Sequence, residues 1–88
     1  MRSVVRALPG YRLEDFASAA VWHGLRPLSP DGLPYLGRSG CASNLIVATG
    51  HAMMGVSLAP VTGLLVQDLL EGRAPRLPLA ALSPDRYA

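Results

Sequence analysis

A chain of 88 residues has room for one small domain. Half of the residues are hydrophobic, more than so short a chain readily hides, so surface buried against other protein is expected. The net charge of +2 comes from eight arginines against six acidic residues, with no lysine and no basic run, which argues against the clustered stripe of a nucleic-acid binder. Cys41 is the only cysteine, so an internal disulfide and a cysteine metal cage are excluded, and a cytoplasmic setting is expected. No run of roughly 18 apolar residues is read as a membrane span. Arg2 and Arg6 precede no long apolar stretch, so the start does not read as a secretory signal.

Residues 2–8 read as the end of a helix stopped by Pro9-Gly10. Residues 11–17 read as a connector. The following "ASAAVWHGLRPLS" reads as extended, with Trp22, Gly24 and Arg26 sharing one face, and Pro27 biases Arg26 further toward extension. "SPDGLP" predicts a tight turn with positive φ at Gly32, followed by a short extended piece at "PYLG" and a loop at "RSGCAS". Leu45, Ile46, Val47 and Ala48 are apolar without alternation, the pattern of a strand buried on both faces in a parallel sheet. A glycine-bracketed loop comes next. Leu58, Val61, Leu65 and Leu69 then mark one stripe of a helix, in which Pro60 is tolerated near the first turn, Gly72 caps the end and Pro75 blocks continuation. In the proline-rich tail, Ser83 is placed to cap one short helical turn.

The strand–loop–helix unit over residues 44–71 is the strongest candidate for chemistry. In open α/β sheets, ligands sit beyond the carboxyl ends of strands, and a helix starting near Gly55 aims free amides and a positive dipole end there. Gly50 and Gly55 have the spacing that begins a phosphate loop. Val56-Ser57 replaces its Lys-Ser/Thr pair, so a nucleotide phosphate loop is excluded. The bland alternative is an ordinary buried strand–helix unit. Arg26 suits a carboxylate or, equally, a salt bridge at a strand end. His51 either orients a ligand or bonds nearby backbone. Met53 and Met54 either shape an apolar pocket or fill space. Tyr35 either offers a hydroxyl or packs. His23 and His51 lack zinc-motif spacing, and Ser57 lacks the His/Asp pattern of a nucleophile.

"WHGLRPLSPDGLPYLGR", "NLIVATGHAMMGVSLAPVTGLLVQDLLEG" and "SPDRY" together resemble the C-terminal end of the FAD-dependent D-amino-acid oxidase/dehydrogenase superfamily, nearest to glycine oxidase and bacterial D-amino-acid dehydrogenases. The resemblance runs from about Val21 to Tyr87. It implies an α/β (α+β) fragment: the last buried strand and helix of an FAD-binding Rossmann-like domain, joined to an end piece of the antiparallel substrate-domain sheet. Residues 1–28 would be the substrate-domain tail, 29–43 the crossover turn and loop, and 44–88 the FAD-domain piece. It also implies that Arg26 grips a substrate carboxylate, with Tyr35 and Met53 at the substrate. Gly50, His51, Met53, Met54, Gly55, Val56 and Ser57 would lie against the flavin of FAD. No catalytic side chain is implied, since hydride passes from the substrate α-carbon to the flavin.

Two features depart from the family pattern. Some glycine oxidases have a basic residue where Met53 stands, so a larger or less polar amino acid than glycine is expected. Nothing here matches the G-x-G-x-x-G loop that holds the ADP half of FAD, so the expected partner is the remainder of the enzyme or a chain carrying that region. The chain is therefore expected to be inactive alone. The alternative is a non-enzymatic interaction module, or a split subunit that needs a partner chain. If the enzyme is quinone-linked, peripheral membrane association is expected.

Overall fold

The computed structural model describes residues 2–88, without the side chains of Val4 and Val5. Its element order is α1 (Arg2–Ala7), α2 (Glu14–Ala17), β1 (Tyr35–Arg38), β2 (Ile46–Thr49), a 3-10 turn (Ala52–Met54), α3 (Gly55–Leu70) and a second 3-10 turn (Ala80–Leu82). This is an α+β arrangement built on an antiparallel hairpin and one long helix. The helix end expected before Pro9 is α1. The connector expected over 11–17 contains the single turn α2, because Asp15 accepts the Arg12 amide at 2.7 Å and places a carboxylate at the helix start.

The "SPDG" turn forms as expected. The Gly32 amide bonds the Ser29 carbonyl at 3.2 Å, and Gly32 adopts φ 75°. It feeds β1, which pairs with β2 in the register Tyr35↔Thr49, Leu36↔Ala48, Gly37↔Val47 and Arg38↔Ile46.

Two expectations about strands are corrected. β2 is not buried on both faces: Ile46 and Val47 are half-buried, while Ala48 and Thr49 are exposed, and the pairing is antiparallel. A continuous apolar run satisfies a two-sided environment, but here only one neighbouring strand and one helix supply cover. Residues 17–29 do not form a strand, and Ala17 closes α2 instead. A strand needs a hydrogen-bonding edge to pair with, and this segment reaches one only at the single antiparallel bridge Leu28↔His51.

Helix α3 packs the expected stripe inward, with Leu65 and Leu69 buried and Leu58 and Val61 half-buried. Leu36 of β1 completes a small core. Pro60 lies inside α3 as its sixth residue, beyond the first turn where it was expected. The carbonyl of Val56 thereby loses its helical donor, and Val56 is 91% exposed, so water reaches this turn.

At the other end, Gly72 (φ 69°) donates to the Leu69 carbonyl at 3.3 Å and Arg73 to the Asp68 carbonyl at 2.9 Å, the paired bonds of a Schellman cap. Arg38 also donates to the Leu69 carbonyl and ties β1 to the helix end. The 3-10 turn Ala80–Leu82 ends at Ser83, whose hydroxyl accepts the Asp85 amide at 3.2 Å, so Ser83 caps the turn that follows it.

One further expectation changes. The 19 residues Ala52–Leu70 have a mean hydropathy of 1.5, long and apolar enough by that measure to cross a membrane. Gly55, Ser57, Pro60, Thr62 and Gly63 interrupt the run, so no continuous apolar span is visible in the sequence. Length and hydropathy are met equally by a helix that packs one stripe on a hairpin, as α3 does.

Candidate functional site

The turn Gly50–Met54 is where the chain's least ordinary backbone collects. Gly50 is buried with φ 75°, and a Cβ there would stand 3.3 Å from Cδ2 of Tyr35. Ala52 has φ 49°, a conformation that costs a non-glycine residue about 1–2 kcal/mol. Strain of this kind persists where surrounding contacts over-determine it. Here the Ala52 amide donates to the Pro27 carbonyl at 3.2 Å, and Met54 donates to the His51 carbonyl at 2.9 Å. The first of these bonds, with the Leu28↔His51 bridge, docks the "GLRP" segment onto the "TGHAMMG" turn. The two halves of the motif, a quarter of the chain apart, thus meet in space.

His51 is half-buried, with Nε2 3.0 Å from the Thr62 hydroxyl about two turns along α3. Its partner is a side chain, not the backbone. Met53, Met54 and Val56 are 74%, 50% and 91% exposed, so the methionines do not fill the core. Gly55 and Ser57 share the exposed first turn of α3, and no side chain caps that start. The result is an uncapped helix N-terminus surrounded by uncovered apolar side chains. A flat, apolar, electron-rich group suits such a surface: the methionines and Val56 offer contact, and the dipole favours negative charge. The residues present fit a flavin ring.

Arg26 is exposed and, among the described residues, has no ion-pair partner within 4.0 Å. The strand-end salt bridge is therefore not formed. Trp22, His23, Gly24, Leu25 and Arg26 curl around an open concavity of about 440 Å³. Tyr35 is half-buried. Its ring lies against Gly50, edge-on to Tyr87 at 6.4 Å, and under the Arg86 guanidinium at 4.0 Å.

Asp31, expected only in the tight turn with Gly32, and Arg86, to which the sequence gives no role, form a densely hydrogen-bonded group. Arg86 Nε and Nη2 donate to the two Asp31 oxygens, both at 2.9 Å. The Arg86 guanidinium holds the Asp31 carboxyl well below the usual range, against the opposing pull of burial and with help from the Leu33 amide and the Ser29 hydroxyl. The available signal was a lone arginine beside an aromatic residue in a proline-rich tail. Asp68 is not evident in the sequence either, because its partners Arg73 and Arg76 lie five and eight residues on, past the Gly72 cap and outside the i+3 and i+4 spacings of a helical pair. It is 2% exposed and is held by Arg73 at 3.1 Å and by Arg76 Nε and its amide, both at 3.2 Å. Burial raises its pKa, but the hydrogen bonds and charges of the two arginines outweigh that and leave it lowered.

The family described as FAD dependent oxidoreductase matches residues 1–69. The chain belongs to that family. Among curated members it is 42% identical over 74 residues to the D-amino acid dehydrogenase of Cereibacter sphaeroides, covering 84% of this chain and 17% of the relative. To the glycine oxidase of Geobacillus kaustophilus it is 44% identical over 75 residues, covering 85% and 20%. The crystal structure of the Geobacillus kaustophilus enzyme superposes with a TM-score of 0.69 at 46% identity, covering 74% of this chain and 18% of that one. The α+β fold described above is thus a piece of the glycine oxidase fold. The chain spans about a fifth of the length of the curated relatives it matches.

Proposed function

We propose that this chain forms the flavin-edge and carboxylate-binding part of an enzyme that oxidises D-amino acids or related amino acids. The observation that carries the reading is the docking of Pro27-Leu28 onto His51-Ala52, which sets Arg26 beside the turn that opens α3. Arg26, charged and unpaired among the described residues, receives the substrate carboxylate with its planar fork. Met53 bounds the substrate side chain and favours one larger or less polar than glycine. Gly50, His51, Met53, Met54, Gly55, Val56 and Ser57 hold the flavin edge. FAD, when bound, supplies the hydride acceptor. The chain's own residues orient the amino acid and place the helix start where the reduced ring gathers charge. Residues 1–28 belong with the substrate-facing sheet, 29–43 with the crossover and 44–88 with the FAD domain. The setting is cytoplasmic, with peripheral membrane contact if the electron acceptor is a quinone.

Purified alone, the 88-residue chain is expected to hold FAD well below one equivalent and to leave D-amino acids unoxidised. Mixed with a polypeptide carrying the G-x-G-x-x-G region, it is expected to retain flavin. Stoichiometric flavin and unaided oxidation by the chain alone would overturn the dependence on a partner. The second reading, a non-enzymatic interaction module, draws on the exposed Val21, Trp22, Leu25 and Leu28. A cooperatively melting dimer that ignores flavin in both assays would favour it.

A further inference from the structure

Arg86 uses every donor it has. Nε and Nη2 bond Asp31, Nη2 also bonds the Leu33 carbonyl at 2.8 Å, and Nη1 bonds the carbonyls of Pro34 at 3.3 Å and Ser83 at 3.0 Å. A guanidinium has five N–H groups, and all five are engaged on a side chain only 12% exposed. The same group stacks on Tyr35 at 4.0 Å and lies 5.2 Å from the Tyr87 ring. Four of the five acceptor contacts fall on the loop 29–34.

That loop joins the two backbone contacts that hold the site turn from either side. Leu28, just before it, bridges His51, and Tyr35, just after it, pairs with Thr49 and lies against Gly50. The spacing between Leu28 and Tyr35 therefore sets how the strained segment Gly50–Ala52 is gripped. We propose that Arg86 is a positioning residue: by stapling the loop 29–34 and the Tyr35 ring, it holds the turn Gly50–Met54 in the conformation that presents the start of α3. With all five N–H groups engaged, it has no free donor to offer a ligand. The consequence for the flavin rests on the functional reading above, but the positioning does not.

Hydrogen exchange on the full 88-residue chain, without flavin, tests it. Lysine supplies three donors from one point and cannot span Asp31 and three carbonyls. Arg86→Lys is expected to speed exchange of the Ala52 and Met54 amides at least tenfold, roughly one lost charge-assisted hydrogen bond. The amides of Leu65 and Leu69 are expected to stay within about twofold, since a local opening need not involve the helix centre. Asp31→Asn is expected to give the same local pattern more weakly. Equal acceleration in the turn and in α3 overturns the proposal, as does no acceleration at Ala52 and Met54. If Arg86→Lys fails to fold by circular dichroism, Asp31→Asn decides by the same criterion. Loss of fold in both overturns the proposal, because the clamp would then support the whole domain and not the turn. Because no flavin is present, failure here is separable from failure of the functional reading.

Discussion

Single residues carry very unequal shares of this structure. Leu36 is 2% exposed at the centre of a core with few members, so Leu36→Ala is expected to destabilise the chain by about 2–5 kcal/mol, read from a urea midpoint. Gly50→Ala meets two penalties at once, a positive φ and a ring at 3.3 Å, and is expected to cost about 1–3 kcal/mol. The carboxylates predict the acid limb of stability. Both Asp31 and Asp68 have folded pKa values below the unfolded value of about 3.9. Their contribution is fully present above that value and is lost as pH falls through the lower folded values. Melting temperature is expected to hold from pH 7 to about 5 and to drop below about pH 4, with Asp31→Asn and Asp68→Asn each flattening the drop. For catalysis, Arg26→Ala in the flavin-loaded assembly is expected to raise KM for the amino acid about 10- to 100-fold, the worth of a charge-assisted pair.

Among the elements, α3 shows how far periodicity reaches. The stripe from Leu58 to Leu69 was legible because an i, i+3, i+7 pattern needs only one facing surface, whatever that surface is. Gly72 was legible because a left-handed cap has few alternatives. The position of Pro60 was not, since tertiary packing on the hairpin carries the helix through a site that local propensity disfavours. Pro60→Ala is expected to restore the bond to the Val56 carbonyl and raise stability by up to about 3 kcal/mol, measured by thermal melting. The segment 17–29 departs in the opposite way. Its composition suits a strand, but a strand is completed by its neighbours, and only Leu28 finds one.

The molecule as a whole measures 53 × 24 × 20 Å, with a radius of gyration of 18.7 Å. A compact domain of this length has a radius near about 12 Å. The excess comes from residues 2–27, which leave Val21, Trp22 and Leu25 at 95%, 85% and 102% exposure. Only 17% of the Ala52–Leu70 stretch is buried. Apolar surface on this scale seeks cover, and the chain on its own is expected to self-associate in size-exclusion chromatography.

The chain's order of residues was enough for the turns, the helix stripe, the cap and the two halves of the family motif, because each depends on local geometry or on residue types in a short span. Folding in three dimensions settled the rest. It determined that "GLRP" lies on the "TGHAMMG" turn, that Tyr35 packs against Gly50, and that Asp31 and Arg86, 55 positions apart, share one set of hydrogen bonds. Partners so distant leave no periodic trace in a sequence. Their pairing follows from the hairpin register and the return of the tail across it.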